Sequence, residues 1–293
     1  MAPNPGSERL GRLRDALRDP VVLVALAVVL IVAAGAASTF VKQACYLRHA
    51  PMRESIFNIS YIDRTYIKAP PGDGYLCGRD ADGMSVAERT LAGARISLLV
   101  GIAGALVCVA VGTLYGLIAG YWGGMVDMLM MRLVDVVYSL PYMFIVIILV
   151  SLFTRSIAML FVALGLVYWL DVARIVRAQV LSLKEREFVA AARAVGAGHG
   201  RIIFRHILPN LTGIVIVYLT LTVPRLMLQE SFLSFLGLNV QGQEHSWGAI
   251  LNEALVSSAG IDWWMILFPG GVMFLTLVSL TVLGEKIEKI LGV

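Results

Sequence analysis

Long runs of uncharged, mostly apolar residues recur along this chain, and they constrain its fold more than any other feature. They lie at 21–41, 96–126, 136–154, 156–170, 206–224 and 263–284. A membrane-spanning helix needs roughly 17–25 such residues, and most of the runs reach that length. The shortest run, 156–170, is followed by charged side chains that can reach the membrane surface from a continuing helix. The pattern predicts an all-α integral membrane protein with six transmembrane helices.

The overall composition supports a membrane protein. Hydrophobic residues make up 58% of the 293 residues and charged residues 15%, whereas a soluble domain carries about 25% charged residues. The first run also resembles a cleaved signal peptide, but its 21 residues exceed the usual apolar length of roughly 7–15. We therefore expect it to be a retained helix.

The distribution of basic residues predicts the orientation. Seven Lys or Arg residues lie between Arg174 and Arg205, and none lies between Ser231 and Asp262. Because cytoplasmic loops carry the excess of basic residues, segment 172–209 is predicted to be cytoplasmic and 231–262 external. Six spans then place both termini in the cytoplasm. The net charge of +4 follows this membrane pattern, so we expect lipid contact and no nucleic-acid partner.

These observations predict the following organisation. The segments are a cytoplasmic tail at 1–20, a first transmembrane helix at 21–41, an external segment at 42–94, a five-helix core at 95–284 with a cytoplasmic loop at 181–209, and a second cytoplasmic tail at 285–293.

Glycines recur at every fourth position in the second run, at Gly112, Gly116, Gly120 and Gly124. This spacing places them on one helix face, where missing side chains let a neighbouring helix approach closely. We favour close packing within this chain over an interface with another subunit.

The loop after the fourth run has an unusual composition. Residues 185–195 are rich in helix formers, glycines break the pattern at 196–200, and a second short helix is expected at 201–208, ending at Pro209. Apolar residues among arginines suit either docking onto a protein surface or contact with anionic lipid. Spacing alone leaves both interpretations open.

This loop resembles the cytoplasmic loop of ABC importer permeases. The resemblance rests on Ala191-Ala192, Gly196 and the sequence His206-Ile207-Leu208-Pro209. It implies a coupling helix that contacts the ATP-hydrolysing subunit. The implied coupling residues are Glu187, Ala190, Ala191, Ala192, Arg193, Gly196, Ala197, Gly198 and Pro209. The family usually has Glu where this chain has Ala190, which removes the ionic contact that this Glu would make.

Further segments resemble the second permease subunit of oligopeptide, dipeptide and nickel importers. They lie at 93–98, 168–177, 230–238 and 246–249. The resemblance implies a type I ABC importer permease fold in the bacterial inner membrane. It also implies a homologous permease, two ATP-binding cassette subunits, an extracytoplasmic binding protein and a peptide substrate, with dipeptides, nickel or glutathione as alternative cargo.

The sequence contains no phosphate-binding G-x-x-x-x-G-K-[ST] motif and no H-E-x-x-H or C-x-x-C motif. We therefore expect no catalytic residues, metal site or cofactor on this chain, with ATP and Mg held by partner subunits. An alternative of another class is a membrane enzyme or anchor with a functional external loop.

Charged residues inside apolar runs are candidates for function. Arg225, Gln229 and Glu230 end the fifth run and are candidates for the translocation path. Arg132 and Asp135 lie three residues apart, so an ion pair within one helix is expected.

Two of the three cysteines, Cys45 and Cys77, fall in the predicted external segment, where a disulfide can persist. A bridge that closes this loop would stabilise the segment by roughly 3–4 kcal/mol in the chain-entropy model. The alternative is two free thiols that lie too far apart.

Overall fold

The computed structural model describes residues 15–16, 18–49, 69–72, 77–152, 157–238, 246–256 and 262–292. In these segments the backbone is helical, apart from turns, short irregular stretches and isolated β-bridge residues such as the pair Arg79 and Ser85. The predicted all-α fold is confirmed.

The helices are numbered here in chain order. They are α1 (Pro20–His49), α2 (Val86–Trp122), α3 (Gly124–Ser139), α4 (Tyr142–Leu152), α5 (Ile157–Lys184), α6 (Glu187–Ala194), α7 (His199–Phe235), α8 (Trp247–Val256) and α9 (Trp263–Leu291). Helix α1 continues beyond the predicted end of the first span at residue 41.

Four of the described helices are long and apolar enough to cross a membrane, namely α1, α2, α7 and α9. A fifth crossing is formed if α3 and α4 are counted together. The chain is therefore a multi-pass membrane protein. By this measure the described residues account for up to five of the six predicted spans.

The third predicted span, 136–154, is not one straight helix. Helices α3 and α4 meet at an angle of 79°, and Leu140 between them is extended, with φ −82° and ψ 135°. Leu140 precedes Pro141, and a residue before proline is disfavoured in the helical region by a clash with the proline ring. The uncharged run is thus broken locally by its own sequence.

The helix predicted to end at Pro209 continues instead through α7 to Phe235. The prediction of a stop there was wrong. A π-helical turn at Ile203–Ile207 directly precedes the Leu208–Phe235 part of the helix. Proline has no backbone N–H to donate to the preceding turn of a helix. A π turn shifts the hydrogen-bond partners by one residue, so the helix continues through Pro209 although this one hydrogen bond is missing.

The chain divides into two compact units. The first comprises Met1–Ala16, Ile102–Leu226 and Gly284–Val293, and the second comprises Leu17–Gly101 and Met227–Leu283. The loop at 181–209, helix α5 and the part of α7 up to Leu226 belong to the first unit.

The glycine stripe of α2 packs within the first unit. A methyl group on Gly112 would lie 2.6 Å from Cβ of Val172, and one on Gly120 would lie 2.8 Å from Cβ of Val180. A methyl group on Gly116 would collide with the backbone oxygen of Ala173. Close packing inside this chain is therefore confirmed for these three glycines, whereas Gly124 starts α3 with φ +53° and has open space around it.

The second unit is fixed by buried polar contacts. Arg89 bonds to Asp80 at 2.6 Å and also pairs with Glu253 on α8. The indole N–H of Trp247 donates to the carbonyl of Thr90, and that of Trp264 donates to the carbonyl of Arg79. These contacts tie the turn before α2 and the first residues of α2 to α8 and α9.

Candidate functional site

The short helix α6 is held between two longer helices by a single buried side chain. Val189 is fully buried and joins a core with Val180 of α5 and with Ile202, Ile203 and Ile207 of α7. Because α6 has only eight residues, it gains little stability as an isolated helix. Its position therefore depends on this contact with α5 and α7.

A glycine with positive φ ends α6. Gly196 has φ +81°, its N–H donates to Arg193 O, and the N–H of Ala197 donates to Ala192 O. This pair of bonds is the Schellman motif, in which the left-handed residue is most often glycine. The predicted break at 196–200 is thus a specific helix cap, and it turns the chain toward α7.

The rest of α6 faces outward. Phe188, Ala190, Ala191 and Arg193 are exposed, and the side chain of Val195 is 89% exposed. Ala192 and Ala197 are half-buried, and Glu187, Gly196 and Gly198 are exposed. Pro209 lies apart from the others, at the start of the Leu208–Phe235 segment. The structure therefore brings together the predicted coupling residues from 187 to 198, and together they form an exposed surface, here called the α6 surface.

Two contacts that the sequence did not reveal hold this region to α2. The hydroxyl of Tyr121 lies 2.7 Å from Nδ1 of His199, and Nζ of Lys184 donates to the carbonyl of Gly120 at 3.0 Å. Both partners are more than sixty residues apart in sequence, and no local pattern marks them. They fix the two ends of the loop to the same end of α2.

The charged residues of α3 pair with α5. Arg177 forms a bidentate pair with Asp127, and Nη2 of Arg174 donates to Oδ1 of Asp135 at 2.8 Å. The expected Arg132–Asp135 pair within α3 was therefore wrong. Helix α3 lies beside α5, and this tertiary contact offers each carboxylate an arginine on the other helix.

The three candidate path residues have different surroundings. Arg225 is exposed and Gln229 is half-buried, and both lie on α7. Glu230 is 2% exposed, and its carboxylate accepts hydrogen bonds from Ser97 at 3.0 Å and Ser234 at 2.7 Å. A buried carboxylate with several hydrogen-bond partners orders its neighbours, and a role for Glu230 in the translocation path stays a prediction.

Cys77 lies outside the spans as a half-buried free thiol packed against the buried cluster of Val86, Ala254, Trp264 and Met265. Burial raises the pKa of the Cys77 thiol. The side chain of Cys45 lies outside the described residues, so the predicted bridge stays a prediction.

The structure thus defines a class: a multi-pass helical membrane protein in which a short exposed helix is clamped between two long ones. Comparison with known proteins identifies the family. The sequence model of the binding-protein-dependent transport system inner membrane component matches residues 112–290, and the chain belongs to this family.

Named relatives agree with this assignment. The chain is 48% identical to the oligopeptide transport system permease protein OppC of Haemophilus influenzae over 224 residues, which are 76% of this chain and 72% of that protein. It is 48% identical to OppC of Escherichia coli K12 over 74% of this chain and 72% of that protein. It is 41% identical to the dipeptide transport system permease protein DppC of Bacillus subtilis over 83% of this chain and 73% of that protein.

Proposed function

We propose that this chain is the permease subunit of an ATP-driven importer of oligopeptides. It would form the translocation path with a homologous permease, receive peptide from an extracytoplasmic binding protein, and use two cytoplasmic ATP-binding cassette subunits to hydrolyse ATP. Family membership supports a transport component over a membrane enzyme or anchor, and the oligopeptide substrate is taken from the names of the relatives.

The α6 surface is the observation that carries the coupling part of this proposal. It exposes Phe188, Ala191 and Val195 while a single valine anchors the helix. Exposed apolar side chains next to small ones are suited to insertion into a cleft of another protein. We propose that this surface is cytoplasmic and that the ATPase subunits bind it.

The contacts of α6 with its neighbouring helices support a role in transmitting motion from the ATPase subunits. The helix contacts α5 and α7 through its buried valine, and the Tyr121–His199 contact ties the start of α7 to α2. A displacement of α6 by a moving ATPase would therefore be passed to long helices as a rigid-body motion. This motion would switch access to the path from the outside to the inside.

A direct experiment reconstitutes this chain with its homologous permease, the two ATPases and the binding protein in proteoliposomes. Uptake of a labelled oligopeptide and ATP hydrolysis are measured together. We expect uptake that requires ATP and is lost when Val195 and Ala191 are changed together to Glu. ATP-driven uptake that survives this double change would contradict docking at the α6 surface.

Dipeptide import is the second candidate, since a dipeptide permease relative matches 83% of this chain. Competition of unlabelled dipeptides against the labelled oligopeptide separates the two. Nickel and glutathione are tested in the same assay as competitors.

A further inference from the structure

The segment 185–198, which carries α6, is held at both ends by adjacent residues of α2. Directly before the segment, Nζ of Lys184 donates to the carbonyl of Gly120 at 3.0 Å. Directly after it, Nδ1 of His199 lies 2.7 Å from the hydroxyl of Tyr121. The segment therefore begins and ends beside the same turn of α2, within the first compact unit.

The lysine contact is a cap on the end of α2. Helix α2 ends at Trp122, and the last four carbonyls of a helix lack an N–H partner within it. The carbonyl of Gly120 is one of these four, and a positive charge is favourable at the negative end of the helix dipole. A methyl group on Gly123 would lie 3.2 Å from Nζ of Lys184, so the glycine after α2 leaves room for the lysine.

The tyrosine joins α2 to the core beneath α6. Tyr121 is 8% exposed and belongs to the same buried cluster as Val189, the anchor of α6. Its ring also meets the ring of His199 edge-to-face, with centroids 5.7 Å apart. One side chain of α2 therefore belongs to the core under α6 and reaches the first residue of α7.

These contacts make α2 the helix that receives a movement of α6. Because both ends of 185–198 are held, the segment cannot shift relative to α2 without distorting one of the two contacts, and distorted hydrogen bonds weaken steeply. Helix α2 in turn packs on α5 through Gly112, Gly116 and Gly120, where a methyl group does not fit. Such close packing transmits strain, so we expect a displacement of α6 to move α2 and α5 together.

We propose that Tyr121 and Lys184 are positioning residues that transmit movement of the α6 surface to α2. Their two contacts, added to the buried Val189, hold the loop to this helix. Neither residue belongs to the exposed α6 surface, so an ATPase subunit would still bind when they are changed. The inference rests on the proposed coupling at the α6 surface and adds the residues that carry it into the rest of the chain.

The experiment compares two tyrosines of α2 that each lose only a hydroxyl. Tyr121→Phe keeps the ring in the core and removes the group that meets His199. Tyr115→Phe is the matched control, because the Tyr115 hydroxyl donates to the carbonyl of Met130 on α3 at 2.8 Å and thus links α2 to a helix outside the loop. Lys184→Met removes the ammonium but keeps an unbranched chain, and Lys184→Arg keeps a positively charged donor.

Peptide uptake, ATP hydrolysis and hydrogen–deuterium exchange of the amides at 187–194 are measured on the assembled transporter in proteoliposomes. Losing one hydrogen bond lowers the equilibrium constant for the held arrangement about two- to tenfold, and exchange reports this local opening. We expect Tyr121→Phe and Lys184→Met each to speed exchange in α6 at least about twofold. The variant with both changes should import fewer peptides per ATP, by at least about twofold, and still hydrolyse ATP. Tyr115→Phe and Lys184→Arg should match the unchanged transporter in all three measurements.

Faster exchange with an unchanged number of peptides per ATP would overturn the proposal, because the contacts would then position α6 without transmitting its movement. An equal loss of coupling in Tyr115→Phe would also overturn it, since any weakened contact of α2 would then have this effect. Uptake that survives the double change of Ala191 and Val195 to Glu would instead refute docking at the α6 surface. In that case the exchange measurement would still decide whether Tyr121 and Lys184 hold the loop.

Discussion

Replacing Gly196 by alanine should weaken coupling between ATP hydrolysis and transport. Gly196 has φ +81° and a Cβ there would meet nothing within 4 Å, so the entire effect comes from backbone strain. A non-glycine residue in the left-handed region costs about 1–2 kcal/mol, which changes the population of the capped geometry by a factor of roughly 5–30. Because α6 has one buried anchor, we expect the strain to be relieved by misorientation of α6 and not by global unfolding.

Gly198 supplies a matched control two residues away. Its φ of −67° and ψ of 159° suit any residue, and a Cβ there also meets open space. Gly198→Ala should therefore leave coupling unchanged. Gly196→Pro should be more severe than Gly196→Ala, since proline fixes φ near −65° and removes the N–H that donates to Arg193 O.

The assay measures peptide uptake and ATP hydrolysis in the same proteoliposomes, with membrane insertion checked by the amount of assembled complex. We expect Gly196→Ala to lower the number of peptides imported per ATP and Gly196→Pro to abolish import, while insertion persists. Wild-type uptake in Gly196→Pro, or an equal loss in Gly198→Ala, would refute the reasoning that the Schellman cap sets the orientation of α6.

Three further predictions address other parts of the chain. Arg225→Ala should weaken uptake of free peptides more than that of amidated ones if Arg225 binds a terminal carboxylate, and an equal loss for both would leave it a structural arginine. Gly116→Ala should lower the midpoint of thermal unfolding in detergent, because the added methyl group collides with the Ala173 carbonyl at a cost of about 1–3 kcal/mol. Gly165→Ala on α5, where a methyl group meets nothing within 4 Å, is the control and should leave the midpoint unchanged. An unchanged midpoint in Gly116→Ala would contradict the tight packing. The predicted bridge between Cys45 and Cys77 is tested by differential alkylation read by mass spectrometry, at raised pH because burial raises the pKa of the Cys77 thiol. Both cysteines should be protected until reductant is added. Full labelling of both without reductant would refute the bridge.

The features predicted correctly from the sequence are those that depend on residues close together along the chain. Whether a segment is apolar enough to cross a membrane depends on its own residues, so the span at 263–284 reappears within α9, and most of the span at 96–126 lies within α2, which ends at Trp122. The capped helix of the loop is also local, because helix formers followed by Gly196 define it within a few residues.

Proline marks the limit of that local reasoning. The same residue type breaks the chain at Pro141 and is accommodated at Pro209. The difference lies in the backbone around it: Leu140 is extended before Pro141, whereas a π turn re-pairs the hydrogen bonds before Pro209. The sequence predicted a helix end at Pro209, and it did not predict the break at Pro141.

The sequence alone determined that this chain is a helical membrane protein with an exposed helix–glycine–helix in one loop, because hydropathy and helix capping are sums over neighbouring residues. Only the tertiary structure decided the partners of the charges. Asp135 lies three residues from Arg132 but bonds to Arg174, 39 residues away, and Glu230 is enclosed by serines that include Ser97. Ion pairs and buried hydrogen bonds form between groups that the fold brings within about 3 Å, and distance along the chain does not fix that approach.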